Sequence, residues 1–250
     1  MAANTDSARY KCGLTIRSTG PIAAGRHLGE KSLAQMPTRR NGPVSSNVRP
    51  QNMPKIPPDH PTPQVVHSYL TKWKGLENYA MQERALALLF REFCPKNTNP
   101  EHVLLKVSAL NDFYSTNIFD KYSVARHIVK LNIDARLAES DRDLVNELAQ
   151  VQIRSRLMNF YSFATKYCNH HNTADYPIYD SYVEKMLLYF NRVEKFADFK
   201  KPDLKNYCRF VEIILAFQNH YSLGQFSLRE IDIYLWLGGK NAFPPPYAGA

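Results

Sequence analysis

The sequence SFATKYCNHHN at residues 162–172, followed by YPIYDSYV at residues 176–183, holds the most informative residues of this 250-residue chain. Lys166 lies in the first stretch, on a predicted helix, and Asp180 stands at the entrance of the next helix. Pro177 marks a short loop between the two helices. The pattern therefore puts a lysine and a carboxylate on consecutive helices.

Working outward from these stretches, apolar residues recur at helical spacing from Thr62 to the end of the chain. Thr62-Pro63 and Asn99-Pro100 are typical helix starts, with a capping side chain followed by proline at the first helical position. Gly75 is expected to end the first helix, a Ser140 or Asp141 cap to open a later one, and Gly238-Gly239 to end a short last one. No run alternates apolar and polar residues long enough to predict a sheet. The sequence predicts an all-α domain of eight to ten helices over residues 63–241.

The segments on either side of this domain differ from it in composition and in apolar periodicity. Residues 1–63 contain nine of the sixteen prolines and almost no periodic apolar residues, which predicts a disordered arm over residues 1–62. Residues 242–250 are expected to form a flexible tail. The first 60 residues carry nine Lys or Arg against three Asp or Glu, whereas the remainder carries 23 against 20. A basic arm beside a nearly neutral domain favours salt-sensitive attraction to phosphate; the alternatives are a solubilising tail or a start codon chosen too far upstream.

The cysteines and the hydropathy pattern bear on the compartment. The four cysteines are widely separated and form no CxxC pair, and no secretory signal is recognisable. These observations favour a reducing cytoplasm, with the nucleoid or nucleus as alternatives. The Arg-rich first 40 residues leave an organellar transit peptide open. No apolar run approaches the ~20 residues that cross a bilayer, so a soluble protein without a membrane partner is expected.

Thr165-Lys166 and the later Pro177-Ile178-Tyr179-Asp180 resemble the helix-hairpin-helix DNA glycosylases, known as the HhH-GPD superfamily. The resemblance covers about residues 100–240 and includes Tyr114-Ser115-Thr116-Asn117, which is similar to the turn that lines the DNA-facing cleft of that family. The C-terminal DIYLW at residues 232–236 and Gly239-Lys240 look like a side branch of the same fold. The resemblance implies a two-lobed helical fold that removes damaged bases from DNA, with DNA as the partner and no cofactor.

The resemblance also implies roles for individual residues. Lys166 matches the lysine that attacks the sugar C1′ atom, and Asp180 matches the catalytic aspartate. Tyr114, Ser115 and Asn117 match residues that contact the substrate. Two features depart from the family pattern: Ser162 and Ala164 stand where the family has hairpin glycines, and Lys166 and Asp180 are 14 residues apart, which is shorter than usual. Side chains at 162 and 164 prevent the close approach to a DNA phosphate that glycine permits.

The chemistry explains why these residue types are needed. Cleavage of an N-glycosidic bond develops positive charge on the sugar, which an ionised carboxylate such as Asp180 stabilises. The sequence predicts that Ser181 and Glu184 form a capping box at this helix start, where a negative charge is favoured by about 0.3–1 kcal/mol. Lys166 is nucleophilic only when it is neutral, which requires burial, and its neighbours Phe163 and Tyr167 are expected to provide it.

Each of these residues also has a structural interpretation. Asp180 alone is a good helix cap, and Lys166 alone is a solvated or ion-paired lysine. A group of aromatic residues is predicted either to stack on an extruded base or to pack in the core: Tyr114, Tyr161, Phe163, Tyr179 and Tyr182. Cys168, His170 and His171 have the residue types of a zinc site but lack a fourth ligand in sequence, so no metal is predicted.

Three hypotheses follow. The first is a base-excision glycosylase with Lys166 and Asp180 as catalytic residues and Tyr114, Ser115, Asn117, Phe163, Tyr179 and Tyr182 around the base. The second is a non-catalytic descendant of that fold that binds DNA or a protein. The third is a helical interaction module whose likeness to glycosylases is accidental. The first expects Lys166 and Asp180 to line one cleft, whereas the third allows them to face opposite sides.

Overall fold

The computed structural model describes residues 54–244, which are mostly helical. Ten α-helices occur in this part of the chain, together with a π-helical turn at Leu88–Phe93, a 3-10 helix at Lys201–Lys205 and a two-stranded sheet. The α-helices are α1 (Pro63–Lys74), α2 (Glu77–Ala87), α3 (Pro100–Tyr114), α4 (Lys121–Leu131), α5 (Asp134–Ala138), α6 (Asp143–Ala149), α7 (Tyr161–His171), α8 (Ser181–Glu194), α9 (Tyr207–His220) and α10 (Leu228–Ala242), and the strands are β1 (Gln150–Ile153) and β2 (Arg156–Asn159). The prediction of a mainly helical domain is confirmed, whereas the expected two lobes remain a prediction.

Local capping explains several helix boundaries. The Thr62 hydroxyl accepts a hydrogen bond from the Val65 N–H group at 3.2 Å, and the Asn99 side chain accepts one from the His102 N–H group at 2.8 Å. Both helices carry proline in the first turn, where its missing N–H costs nothing. The predicted Ser140 or Asp141 cap is wrong in detail, because α6 begins at Asp143 and Arg142 is its N-cap. Asp141 instead accepts a hydrogen bond from the Asp143 N–H group at 3.0 Å.

The β-hairpin is a feature that the sequence interpretation missed. Strands β1 and β2 pair antiparallel, with Val151 opposite Met158. Only Val151 is fully buried in the two strands, and all four residues of β2 are exposed. An alternation of apolar and polar residues over four positions is too short to stand out in sequence, so the all-α prediction is wrong for this segment.

The C-terminal helix is longer than predicted. Helix α10 runs to Ala242, so Gly238 and Gly239 lie inside it and do not end it. A methyl group on Gly239 would lie 2.7 Å from the Tyr182 Cβ atom and 3.0 Å from the Tyr182 carbonyl oxygen. Gly239 therefore allows α10 to pack closely on α8. Because of this contact the helix continues through the glycine and does not end there.

The ends of the domain also extend beyond the predicted boundaries. Residues 54–62 were predicted to be disordered, yet Asp59 accepts hydrogen bonds from the Tyr69 and Tyr234 hydroxyl groups, both at 3.1 Å. The Lys55 N–H group donates to the Ala242 carbonyl oxygen at 2.8 Å, and Phe243 is buried. The rest of the predicted arm and tail lies outside the described residues. The domain therefore includes an extended segment at each end.

Helix α7 is the central element of the fold. Nine of its eleven residues are buried, including Lys166, and it contacts α3 and α6. The loop at residues 172–180 then leads to α8, which packs against α10. None of the described helices has both the length and the apolar character that a bilayer crossing requires. This arrangement positions the site, because it fixes Lys166 in the interior of the domain.

Candidate functional site

A cavity of about 280 Å³ opens among α1, α2, α3, α7, α8 and α10. Its lining combines aromatic side chains with a small number of charged groups, which is typical of ligand-binding pockets. The lining residues are Trp73, Tyr79, Gln82, Glu83, Leu86, Phe113, Tyr114, Ser115, Lys166, Ile178, Asp180, Tyr182, Val183, Arg229, Asp232, Ile233 and Trp236. We call it the Lys166 cavity.

Lys166 reaches this cavity from the second turn of α7. Its side chain is buried, with a relative exposure of 4%, so it is not a solvated helix lysine. The ammonium group donates hydrogen bonds to Ser162 Oγ at 2.6 Å and to the Tyr179 carbonyl oxygen at 3.5 Å, and it lies 5.3 Å from the centre of the Tyr114 ring. Burial lowers the pKa of Lys166 to about 8, although the charges of Asp180 and Asp232 act in the opposite direction. The neutral amine is therefore the minor form at pH 7, roughly one tenth, and becomes the major form above about pH 8.

Asp180 lies at the N-cap of α8 and lines the same cavity. Its Oδ1 atom accepts a hydrogen bond from the Tyr182 N–H group at 2.7 Å. The predicted capping box of Ser181 and Glu184 is wrong, because Asp180 is the cap and Glu184 points elsewhere. Glu184 accepts a short hydrogen bond from the Tyr179 hydroxyl and forms an ion pair with Lys201 at 3.0 Å. Asp180 thus has an ordered carboxylate at the cavity wall.

Asp232, on α10, is a second carboxylate of the cavity and was not singled out as a site residue from the sequence. Its Oδ2 atom accepts a hydrogen bond from the Ile178 N–H group at 2.8 Å, whereas Oδ1 is buried and has no hydrogen-bond partner. Burial raises the pKa of Asp232 to about 7, against the opposing effects of Arg229, the Ile178 N–H group and Lys166. An unsatisfied buried oxygen beside a cavity is suited to a polar group of a ligand.

A half-buried ion pair joins α10 to α2 at the cavity. Arg229 Nη2 lies 2.8 Å from Glu83 Oε1, and Arg229 Nε donates to the same oxygen at 3.0 Å. The guanidinium group also lies 5.7 Å from the centre of the Trp73 ring. Because it holds two helices together at the cavity wall, this pair fixes the distance between the aromatic residues and the charged residues.

Three aromatic rings form one wall of the cavity, and the sequence interpretation did not identify them. The rings of Trp73 and Tyr79 are stacked with centroids 5.8 Å apart, and Trp236 meets them edge-on at 5.9 Å and 5.2 Å. Lys240 covers Trp236, with its amine 4.4 Å from the ring centre, and donates to the Tyr79 hydroxyl at 2.9 Å. Such a wall is suited to stacking on a planar, aromatic ligand.

The structure brings five of the eight predicted site residues to the Lys166 cavity: Lys166, Asp180, Tyr114, Ser115 and Tyr182. Tyr114 is fixed by a contact of 3.1 Å between its hydroxyl and His170 Nε2. Ser115 ends α3 in the left-handed backbone region, with φ of 48°. Tyr182 packs against Gly239 of α10.

The structure does not bring the other three residues to the cavity. Phe163 is 1% exposed and packs in the core against Tyr167, and Tyr179 is buried against Tyr161 and Phe210. Asn117 is exposed and lines a shallow depression that shares Ser115 with the cavity. Tyr161, also considered for stacking, is buried as well. Phe163, Tyr161 and Tyr179 therefore follow the core-packing interpretation.

The segment before Lys166 differs from the hairpin that the resemblance implies. Ser162 and Ala164, which stand at the positions of the family's glycines, lie in the first turn of α7. The residues before them form the β1–β2 hairpin, which follows α6. No phosphate-binding loop is therefore formed by residues 162–164, and Ser162 instead accepts a hydrogen bond from Lys166.

The three residues with zinc-ligand chemistry do not converge. Cys168 is fully buried, His170 faces Tyr114, and His171 Nε2 lies 3.3 Å from the amine of Lys106. Burial lowers the pKa of His170 to about 3, so this side chain is neutral. Within residues 54–244, no group of three or more His, Cys, Asp or Glu side chains is arranged to hold a metal ion.

The cavity residues missed in sequence lie far from Lys166 along the chain. Trp73 and Tyr79 are on α1 and α2, and Arg229, Asp232 and Trp236 share one face of α10. One signal was available: Asp232 and Trp236 are four residues apart on a helix, next to an otherwise apolar pattern. Charged and indole side chains in a helix that also supplies core residues indicate a polar cavity.

Comparisons with known proteins give a family but no activity. Residues 65–175 match the family model described as HI_0787_N, N-terminal domain. The match includes Lys166 and ends before Asp180. A protein of Haemophilus influenzae described as "Uncharacterized protein" is 52% identical over 145 residues, which is 58% of this chain and 69% of that protein. No solved structure gives a significant match.

Proposed function

Since the chain belongs to the family of this Haemophilus influenzae protein, whose name states no activity, we propose a function from the cavity itself: excision of a modified base from DNA. One observation carries the proposal. A buried lysine with a lowered pKa and the carboxylate of Asp180 line one cavity that also has an aromatic wall. A base-excision enzyme that forms a Schiff base uses these three elements to attack the sugar, to stabilise its positive charge and to hold the extruded base.

The proposed reaction assigns one role to each group. The neutral amine of Lys166 attacks C1′ of the sugar as the bond from C1′ to the base breaks. The departing base leaves with the bonding electron pair and is protonated, and the attacking nitrogen loses a proton. The carboxylate of Asp180 stabilises the positive charge that develops on the sugar ring during this exchange. Opening of the sugar ring then converts the covalent adduct into a Schiff base.

The aromatic wall supports the choice of a base as the ligand. Stacking of a nucleobase on an aromatic side chain contributes about 1–3 kcal/mol. Trp73, Tyr79 and Trp236 provide stacking surfaces, and Asp232 and Arg229 provide polar groups for the edge of a base. The unpartnered Oδ1 atom of Asp232 is suited to such an edge.

A second candidate is the non-catalytic descendant that binds DNA or a protein. The observation in its favour is that residues 162–164 form helix and not a phosphate-binding hairpin. Under this proposal Asp180 acts as a helix cap and Lys166 as a buried partner of Ser162.

The two candidates are separated by base release from a panel of duplexes that carry damaged or modified bases. We expect release by the wild type and a loss of at least 100-fold in Asp180→Asn, because asparagine keeps the cap but not the charge. Asp120→Asn is the matched control, since Asp120 is the N-cap of α4 and its carboxylate accepts from the Ser123 N–H group at 3.0 Å. Equal duplex binding by wild type and Asp180→Asn, with no base release by any of the three proteins, would favour the non-catalytic descendant.

A further inference from the structure

A second surface with recognisable chemistry lies outside the Lys166 cavity. It is formed by the turn at residues 115–120, the outward side of α4 and the β1–β2 hairpin, and we call it the hairpin surface. Strand β1 packs against α4 through buried Val151. Hydrogen bonds from Ser123 lower the pKa of the Asp120 carboxyl at the start of α4, and the positive charge of Arg154 at the hairpin turn adds to this effect, so the hairpin turn lies near the start of α4.

The hairpin surface carries an excess of positive charge. Arg154 and Arg156 of the hairpin and Arg126 and Lys130 of α4 are all exposed. Asp120 is engaged as a helix cap, because its carboxylate accepts hydrogen bonds from the Ser123 N–H group at 3.0 Å and from the Ser123 hydroxyl at 2.8 Å. Asp112 is the other carboxylate near the turn. Glu147, paired with Arg136, also acts on His127 of α4. Four exposed cations against the carboxylates of Asp112, Asp120 and Glu147, of which Asp120 is engaged as a cap and Glu147 is paired, leave positive charge that matches an anionic partner.

Exposed apolar side chains are interleaved with these cations. The relative exposure is 96% for Phe119, 63% for Tyr122 and 63% for Leu157. The Arg126 guanidinium group lies 5.9 Å from the centre of the Tyr122 ring and donates to its hydroxyl at 3.3 Å, so a cation and an exposed ring are adjacent on α4. Aromatic residues between cations are typical of nucleic-acid surfaces, where rings stack on bases and cations contact phosphates.

The turn that presents Phe119 is held in a fixed conformation. Ser115 and Asn117 both have positive φ, at 48° and 57°. Asn111 Oδ1 accepts hydrogen bonds from the Thr116 hydroxyl and the Ile118 N–H group, both at 2.8 Å. An exposed phenylalanine on a fixed turn loses little conformational entropy when a partner binds.

The hairpin surface is continuous with the cavity. Ser115 lines the Lys166 cavity and also a shallow depression that contains Asn117, Phe119 and Lys121. A strand of DNA bound along the surface would therefore pass Ser115, which belongs to the lining of the Lys166 cavity. This continuity distinguishes DNA from an acidic protein as the partner.

We propose that the hairpin surface binds the phosphodiester backbone of duplex DNA beside the base that enters the Lys166 cavity. The inference rests on the proposed function. It assigns backbone binding to Arg126, Lys130, Arg154 and Arg156, in place of the absent glycine hairpin at residues 162–164. Neutralised phosphates release counterions, so each lost contact lowers the salt dependence of binding.

The test is the affinity of the full chain for an unmodified duplex, measured by fluorescence anisotropy over a range of salt concentrations. The variant is Arg154→Asn with Arg156→Gln; asparagine tolerates the positive φ of 52° at position 154. We expect binding at least 10-fold weaker and a slope of log affinity against log salt reduced by about 2, at roughly 0.9 per phosphate. The matched control is Arg192→Gln with Lys200→Gln, which removes two exposed cations on and after α8 and should change the affinity less than twofold.

The outcomes separate this inference from the proposed function. A loss of affinity and slope in the hairpin variant supports the inference even if no modified base is released. Base release by the wild type with the same affinity in hairpin variant and control overturns the inference and leaves the function standing. Absence of duplex binding by the wild type also overturns it. Equal melting temperatures of both variants show that an affinity change does not come from unfolding.

Discussion

Two buried lysines show that the surroundings of a side chain decide which role it can have. Burial lowers the pKa of both Lys166 and Lys106 to about 8. Lys106 is enclosed by Asn97, the Lys96 carbonyl oxygen and His171, and it does not line the Lys166 cavity. Lys166 faces the cavity and two carboxylates. A low pKa is therefore insufficient for the proposed chemistry, and access to a ligand distinguishes the two amines.

The state of Lys166 predicts a pH dependence. Only the neutral amine attacks C1′, so the single-turnover rate of base release should rise about tenfold per pH unit below the Lys166 pKa and level off above about 8. The measurement is base release under saturating enzyme between pH 6 and 9.5, with duplex binding followed at each pH. A rate that falls across this range would contradict the role of the neutral amine.

At the scale of elements, the contact of α8 with α10 forms one wall of the cavity. Gly239→Ala places a methyl group against the Tyr182 backbone and Cβ atom, which cannot move without shifting α8. We expect a loss of about 1–3 kcal/mol in the free energy of unfolding, as for other overpacked sites. Urea denaturation measures it.

Gly224→Ala is the control for this prediction, because a methyl group there has no neighbour within 4 Å and the backbone has no positive φ. Its free energy of unfolding should stay within about 0.5 kcal/mol of the wild type, as is usual for surface substitutions. Equal stability of the two alanine variants would show that α8 and α10 do not pack as described.

The two tryptophans give an optical test of the aromatic wall. The chain has two, Trp73 on α1 and Trp236 on α10, and both line the Lys166 cavity. Stacking of an extruded base should quench their emission when Asp180→Asn binds a duplex that carries the substrate base. An unmodified duplex is the control, since its bases stay stacked. The same emission with both duplexes would argue against entry of the base into the cavity.

The helices show which elements the sequence can predict. The starts of α1 and α3 depend on caps within three residues, so local sequence predicted them correctly. The extent of α10 depends on a contact between Gly239 and Tyr182, 57 positions apart, which local sequence does not contain. The hairpin was missed because its outer strand is exposed on both faces and its two apolar residues, Leu157 and Met158, are adjacent and do not alternate with polar residues.

The candidate site was also predictable only where its residues are close together in the sequence. Lys166 and Asp180 belong to one helix-loop-helix segment, so their presence at one cavity agrees with the sequence prediction. Trp73, Asp232 and Trp236 come from the two ends of the domain and meet only in the folded chain. Phe163 and Tyr179 were assigned to the base because they are aromatic neighbours of Lys166 and Asp180 in sequence, but the sequence did not show which side of the chain faces the core.

At the scale of the whole molecule, the buried carboxyl group of Asp232 makes the stability of the domain depend on pH. The folded-state pKa of Asp232 is raised to about 7, above its unfolded value. The folded state therefore holds more protons between about pH 4 and pH 7, and stability falls as the pH rises through this window. Asp232→Asn should be as stable as the wild type near pH 4 and more stable at pH 8, by up to roughly 4 kcal/mol.

The measurement is the difference in free energy of unfolding between wild type and Asp232→Asn at several pH values. Asp175→Asn is a control for a carboxylate outside the cavity, since Asp175 accepts hydrogen bonds from Ser140 and Asn172. A difference for Asp232→Asn that does not change with pH would mean that the carboxylate is ionised throughout the range.

The central claim is that Lys166 is the nucleophile of a base-excision reaction, and covalent trapping tests it most directly. Wild type is incubated with duplexes that carry modified bases in the presence of borohydride, which reduces a Schiff base to a stable bond, and the modified lysine is located by peptide mapping. We predict one adduct, at Lys166 and not at Lys106, that is lost in Lys166→Ala. Absence of an adduct with every base tested, or an adduct on another lysine, would contradict the claim.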